Sequence, residues 1–204
     1  MPNLRPLGRV SFTLFRSVTA QCSAAPVRRA LSEIFTADGK VWYSMLNVYD
    51  AIAHVHGSDL APEVHGTVKF LGVPDGTWVE AEIFGLPPFS AATADTPQIG
   101  PFAFHIHDGS SCGASHGDEP LFDAHGHWNP GNDVHGNHAG DFPVLFSNGG
   151  TAKMLFFTNR FKPSDVIGKT VIIHESPDDY KTQPAGSGGK RIACGVIVSA
   201  ESIR

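Results

Sequence analysis

The sequence predicts an all-β protein built as a sandwich or barrel. The chain of 204 residues contains 22 glycines and 15 prolines, which favour short strands and many turns over long helices. From residue 63 onward, apolar and polar residues alternate in several short runs, as they do in strands with one buried face. No helical period separates these runs, so the pattern favours a sandwich or barrel.

The clearest element is a hairpin. EVHGTVKFLG and TWVEAEIFGL alternate at period two on either side of VPDG, which contains a Pro-Asp-Gly turn. The same reasoning predicts further strands at 101–107, 143–147, 152–158 and 169–174, and in RIACGVIVS. A long loop at 108–141 and a second at 176–190 separate them. Loops as long as 108–141 are uncommon unless they are functional.

The N-terminal part is less well patterned. We interpret residues 1–60 as a poorly defined extension and residues 61–204 as the domain. RRALSEIF is compatible with a short helical turn, and GKVWYSMLNVYD with a strand or a helix. Arg5 and Arg9 precede the apolar segment VSFTLF, as in a secretory leader. That segment is shorter than the roughly 7–15 residues of a leader core, so a tail or non-native start is favoured.

Charge and hydropathy exclude two classes of partner. The formal net charge is −5 and there is no basic run, so nothing predicts nucleic-acid binding. No window holds the roughly 18 continuous apolar residues that would span a bilayer. We therefore expect neither a nucleic-acid partner nor a membrane span.

Histidines end two of the predicted strands. In the extended segment PFAFHIH, His105 and His107 project from one face while Ile106 faces the other way. His174 ends the strand KTVIIH in the same manner. Three or four imidazoles without sulfur ligands suit copper(II). These strand ends therefore predict part of a copper site.

The 108–141 loop contains a second potential donor set. Seven of the 11 histidines lie between residues 105 and 138. Within HGHWNPGNDVHGNHAGD, three imidazoles (His127, His135 and His138) are followed by the carboxylate of Asp141. Three imidazoles and a carboxylate make a chemically sensible tetrahedral zinc site. A loop with few apolar residues needs such an anchor to become ordered.

Five segments together resemble the copper/zinc superoxide dismutase family. They are FHIHDGSSCG, GHWNP, HGNHAGD, VIIHESPDD and GGKRIACGVI, in the family's order, within residues 63–204. The spacing of five from His107 to Cys112 and the GHWNP form are more like bacterial members. The resemblance implies a Greek-key β-sandwich or flattened barrel of about eight antiparallel strands with long metal-binding loops.

The resemblance also implies the composition of the site. Copper would be held by His105, His107, His127 and His174, and zinc by His127, His135, His138 and Asp141, with His127 shared as a bridge. Asp178 would hydrogen-bond to one histidine of each metal and hold both rings in place. Arg191 would lie beside the copper, and Cys112 and Cys194 would form the family disulfide.

The implied activity is conversion of superoxide to oxygen and hydrogen peroxide by alternate reduction and oxidation of the copper. His127 and Arg191 would be the catalytic residues. Only Lys181 and Lys190 add positive charge between His174 and Arg191, so we expect weaker guidance of the anion or a more exposed copper. The resemblance is compatible with a homodimer, and with the disulfide it favours an extracellular, cell-envelope or periplasmic location.

Two alternative functions share some of these sequence features. A non-catalytic relative would keep the fold and the zinc but have no copper. A dizinc hydrolase is disfavoured, because HIHDGS lacks the expected Asp-His pair after the H-x-H motif and no βα alternation surrounds it.

The remaining conspicuous residues have simpler interpretations. His116 and His125 match no family ligand and are expected to be solvated. AHVHG repeats the H-x-H spacing with His54 and His56, which could load metal, although a solvated strand end is favoured. We expect packing roles for Trp128 and Phe104, and a free or processed thiol at Cys22.

Overall fold

The computed structural model describes residues 33–35, 41–43, 49–113, 115–116 and 119–203. The leader hypothesis and the expectation for Cys22 fall outside these residues. Strands β1 (Glu33–Phe35) and β2 (Val41–Tyr43) pair antiparallel within a separate unit spanning residues 1–46. The helical turn expected for RRALSEIF is therefore wrong at 33–35, where strand pairing prevails over local propensity. For GKVWYSMLNVYD, the structure selects a strand at Val41–Tyr43.

The second unit is organised around one sheet. Its strands are β3 (Ala51–Gly57), β4 (His65–Val73), β5 (Gly76–Phe84), β6 (Phe104–His107), β9 (Ala152–Thr158), β10 (Thr170–His174) and β11 (Arg191–Ser199). They pair antiparallel in the order β6-β10-β11-β3-β4-β5-β9. The chain crosses from β5, beside one edge, to β6 at the other edge, a long connection of the Greek-key kind. The all-β prediction is confirmed.

Smaller elements lie in the connections. Strands β7 (Ser115–His116) and β8 (Glu119–Pro120) form a short antiparallel pair. A short 3-10 helix follows at Phe122–Ala124, and another spans Ala200–Ile203. The α-helix α1 covers only Pro163–Val166. The predicted hairpin is confirmed, because β4 and β5 pair down to Val73 and Gly76.

The sheet begins earlier than the sequence pattern indicated. Strand β3 lies between β11 and β4, so a domain boundary near residue 60 leaves out a central strand. Its inward side chains include the two small residues Ala51 and Ala53, beside Val55. Small inward residues give little hydrophobic alternation, which explains why the pattern understated this strand.

The strand expected at 143–147 is wrong. Only Leu145 pairs there, through an isolated bridge to Phe102. Pro143 has no N–H to donate to a ladder, and the N–H of Val144 donates to the hydroxyl of Tyr180 at 3.0 Å. The described sheet has seven strands, close to the number expected.

The core shows that the sheet curls round on itself. Phe142 packs against Phe104 of β6, with ring centroids 5.1 Å apart, and against Phe156 of β9 at 4.9 Å. Strands β6 and β9 are the two edges of the sheet, so one side chain contacts both ends. Burying each large apolar side chain contributes about 1.5–3 kcal/mol. This shared core therefore stabilises the curled form.

A second, smaller cluster fixes the 108–125 segment to the outer face of the sheet. Leu121 and Ala124 pack against Ile172 of β10 and Cys194 of β11. A disulfide joins Cys194 to Cys112, with Cα atoms 5.7 Å apart. The loop therefore covers the face from which the β6 histidines project.

Candidate metal centre

Strand β6 organises the site because loop segments pair with its edge. Isolated bridges place His127 opposite His107 and Asp141 opposite His105. The backbone of Ile106 supports both segments, donating to Gly140 at 2.9 Å and accepting from Trp128 at 2.8 Å. Residues of the long loop are thereby brought beside the two histidines that end the strand.

His174 completes the first donor set. A β-bulge between Ile173 and His174 shifts the register of β10 against β11, and bulges of this kind re-aim a side chain. Nε2 of His174 lies 3.3 Å from Nε2 of His107. One ligand atom from each of His105, His107, His127 and His174 lies within 4.8 Å of the others.

Backbone carbonyls fix the orientation of two of these rings. Nδ1 of His107 donates to the carbonyl of His125 at 2.9 Å, and Nδ1 of His174 donates to that of Gly189 at 3.1 Å. The Nε2 lone pairs are thus left to face each other, as metal ligation requires. Burial lowers the pKa of His107 well below its ordinary value and that of His174 to about 4. Both rings are therefore neutral, ligand-competent imidazoles at neutral pH.

The second donor set surrounds Asp141. Oδ1 of Asp141 lies 3.1 Å from Nδ1 of His127 and 3.3 Å from Nδ1 of His138, while Oδ2 lies 3.3 Å from Nδ1 of His135. Oδ2 also accepts the N–H groups of Gly136 at 2.8 Å and His138 at 3.0 Å. Burial acts to raise the pKa of Asp141, but the His127 hydrogen bond and the nearby histidines lower it overall. This carboxyl group is therefore ionised.

Four buried ring nitrogens have no hydrogen-bond partner among the described residues. They are His105 Nδ1, His127 Nε2, His135 Nδ1 and His138 Nδ1. Each such atom costs about 1–3 kcal/mol when left unsatisfied. All four belong to the two donor sets. Their chemistry, four imidazoles in one set and three imidazoles with a carboxylate in the other, fits copper and zinc respectively.

Asp178 connects the two donor sets through hydrogen bonds. Its buried carboxylate accepts from His105 Nε2 at 2.6 Å through Oδ2 and from His135 Nε2 at 2.8 Å through Oδ1. The N–H of Tyr180 also donates to Oδ1, at 2.7 Å. One side chain therefore orients a histidine of each donor set.

Two further residues hold the loop that carries the second set. Oε1 of Gln183 accepts the backbone N–H of His135 at 2.8 Å, and Nη1 of Arg160 donates to the carbonyl of His138 at 2.7 Å. Neither residue is predicted from the sequence, since each acts on the backbone and belongs to no motif.

A cavity of about 560 Å³ gives access to the first set. His107, His127 and His174 lie among its lining residues. Four charged residues also line it: Glu119, Glu175, Lys190 and Arg191. The cavity lining therefore carries two positive and two negative side chains. Lys181, the other expected cation, is exposed and is not among the lining residues.

Arg191 is fixed by two carbonyls of the disulfide-linked loop. It donates through Nη1 to Leu121 at 2.8 Å and through Nη2 to His125 at 2.6 Å. The exposed ring of His125 belongs to neither donor set, as expected. Its carbonyl, however, serves both Arg191 and His107. The sequence carried no signal for this backbone role.

The remaining residues that the sequence singled out can also be located in the structure. His54 and His56 are exposed on β3 and lie outside both donor sets. Trp128 and Phe104 are buried and confirm their packing roles. The side chain of His116 falls outside what the structure describes. No helix of the described residues is long and apolar enough to cross a membrane.

A curled antiparallel sheet whose loops bring together two adjoining donor sets with one common imidazole defines a dinuclear metalloprotein. The chain belongs to the copper/zinc superoxide dismutase family, whose family model matches residues 64–197.

Individual relatives agree with this assignment. The chain is 34% identical to a Cu-Zn superoxide dismutase of Deinococcus radiodurans over 158 residues, covering 68% of this chain and 80% of the relative. It is 33% identical to a Cu-Zn superoxide dismutase of Legionella pneumophila, covering 78% and 94% respectively. The crystal structure of a double mutant of a SOD-like protein from Bacillus subtilis aligns with a TM-score of 0.57 and 25% identity, covering 72% of this chain and 96% of that one.

Proposed function

We propose that the protein is an active superoxide dismutase with copper at His105, His107, His127 and His174 and zinc at His127, His135, His138 and Asp141. Two superoxide ions and two protons become one molecule of oxygen and one of hydrogen peroxide. Copper, when bound, supplies the one-electron oxidation and reduction. Zinc has no redox chemistry of its own and organises the second set.

The single observation that carries this proposal is the position of His127. Its Nδ1 lies 3.1 Å from Oδ1 of Asp141, while its buried Nε2 has no hydrogen-bond partner among the described residues. Both nitrogens belong to donor sets, and His127 is the residue common to the two. An imidazole so placed can bridge two metal ions.

Residues that line the cavity can bind the substrate and supply a proton. Superoxide is a small anion, and the guanidinium of Arg191, held by two carbonyls, gives it a fixed positive group to bind beside the histidines. His127 lines the same cavity, so its Nε2 can hold one of the required protons and release it to the reduced product. Glu119 and Glu175 offset the charge of Lys190 and Arg191, which limits long-range attraction of the anion.

The non-catalytic alternative is less well supported. A relative that used zinc alone would have no need for three further imidazoles converging on His127 or for a cavity leading to them. The chain has both features. We therefore favour the enzyme.

We also propose a homodimer. Phe89 and Phe146, each 68% exposed, lie beside an apolar cavity of about 810 Å³ that Phe102 also lines. Large exposed apolar groups clustered in this way favour contact between chains. Sedimentation of the metal-loaded protein tests this, and a monomer at all accessible concentrations would contradict it.

An extracellular, cell-envelope or periplasmic location is the third part of the proposal. Support comes from the Cys112–Cys194 disulfide, since such bonds persist in oxidising compartments. Fractionation of the native host with antibody to the chain is the direct measurement; recovery only from a reducing compartment would argue against it.

The decisive experiment on activity combines metal analysis with kinetics. Copper and zinc per chain are measured in protein isolated without added metal, and superoxide decay is then followed before and after metal reconstitution. We expect one copper and one zinc per chain and rapid decay. A protein loaded with copper at the proposed residues yet inactive would overturn the proposal.

A further inference from the structure

Three histidines form a group on the sheet, apart from the buried centre. His54 and His56 occupy β3 two residues apart, so both project from one face. His65 of β4 is the register partner of His56 and therefore lies on that same face. All three side chains are exposed. Three imidazoles thus lie at adjacent positions of two paired strands.

Strand geometry places these imidazoles within reach of one ion. Directly opposed residues of an antiparallel pair have Cβ atoms about 4.5–5.5 Å apart, and residues two apart on a strand are separated by roughly 7 Å. A metal–nitrogen bond is about 2.0–2.1 Å long for a small divalent ion. Rotation about χ1 and χ2 brings the rings together, and because the side chains are exposed it displaces no core residue.

One ring nitrogen of His65 already makes the kind of hydrogen bond that metal-ligating histidines make. Its Nδ1 lies 2.8 Å from the carbonyl oxygen of Glu63. A carbonyl only accepts, so Nδ1 carries the proton and the Nε2 lone pair is left for an ion. Metal-ligating histidines generally use their other nitrogen in this way. Stacking on Phe84, with ring centroids 5.6 Å apart, further restricts the ring.

We propose that His54, His56 and His65 form a third, exposed metal site that binds Cu(II). Imidazole donors without thiolates suit this ion, which also binds most tightly in the divalent series. The site is built from β3 and β4 alone and needs neither the buried donor sets nor the dismutase reaction.

A copper titration of the fully metallated protein tests the site. The buried sites are first filled with copper and zinc, free metal is removed, and copper sulfate is added while bound copper and its electron paramagnetic resonance spectrum are recorded. We expect one additional Cu(II) per chain with nitrogen ligands. His56→Gln and His65→Gln should each weaken its binding by about tenfold or more, the scale on which single changes around a metal act.

Thr67→Val is the matched control, because Thr67 lies on the same strand and face as His65 and brings no imidazole. It should bind the additional Cu(II) as tightly as the unmodified chain. Native metal content and superoxide decay should stay unchanged in all three variants. Absence of an additional equivalent, or an affinity in both histidine variants equal to that of the unmodified chain, would overturn the proposal. Copper bound by the amino terminus or Cys22 would give that second result.

Discussion

Gly186 passes so close to Asp178 that a Cβ atom at position 186 would overlap Oδ1 of the carboxylate. The same Cβ would overlap Nε2 of His135. Gly186 also has a φ of +70°, which L side chains rarely adopt. The hydrogen bond that joins the two donor sets therefore depends on a residue with no side chain.

Gly186→Ala should consequently separate Asp178 from His135 and weaken zinc binding by about 10–100-fold. Competition with a chromophoric chelator measures the zinc affinity. Gly149→Ala is the matched control, since φ is +59° there but a Cβ would meet nothing within 4 Å. Backbone strain of about 1–3 kcal/mol is common to both variants, so equal zinc affinities would refute the steric argument.

Asp178→Asn should weaken both metal sites. An amide cannot accept from two N–H donors while its own NH₂ group faces one of them, so either His105 or His135 loses its support. We expect the zinc affinity to fall by about 10–100-fold. Less copper should also be retained than in the unmodified chain, as metal analysis after dialysis would measure. Asp179→Asn, at the exposed neighbouring carboxylate, should retain both metals; similar losses in the two variants would contradict the special role of Asp178.

His127→Ala should disturb both metals, because one ring supplies a nitrogen to each set. His174→Ala should remove chiefly copper and leave zinc bound. Elemental analysis of the two variants after identical reconstitution measures the difference. Full retention of zinc by His127→Ala would show that the bridging assignment is wrong.

Arg191→Ala should lower the rate of superoxide decay by about tenfold or more without emptying either site. Arg191→Lys keeps the charge but loses the two-pronged contact with the carbonyls, so it should recover only part of the rate. Pulse radiolysis at low ionic strength gives these rates. Lys181→Ala serves as the control, and unchanged kinetics in Arg191→Ala would show that the guanidinium does not face the substrate.

Replacing both Cys112 and Cys194 by Ser should destabilise the fold by roughly 4 kcal/mol, which is the loss of chain entropy in the unfolded state that closure of the loop between these two residues causes. It should also reduce activity in metal-loaded protein, because the freed loop carries the carbonyls that hold Arg191. Urea unfolding and superoxide decay measure the two effects. Cys22→Ser controls for the remaining thiol; unaltered stability without the disulfide would contradict the prediction.

The sequence predicted the donor residues better than the architecture that holds them. H-x-H spacing and Gly-rich loops identify imidazoles because ligand chemistry requires particular residue types. Strand β3 was left outside the predicted domain because Ala51 and Ala53 carry little apolar signal. A strand at 143–147 was wrongly expected because Pro143 disrupts pairing that the alternation indicates. The carbonyl of His125 could not be foreseen, since every residue has one and only the fold selects which is used.

The two histidine contacts of Asp178 have a consequence for how the protein acquires its metals. Whichever ion arrives first fixes a ring that hydrogen-bonds to this carboxylate, and so restricts the carboxylate before the other ion binds. We therefore expect metal uptake to be cooperative, and the factor by which zinc tightens copper must equal the factor by which copper tightens zinc.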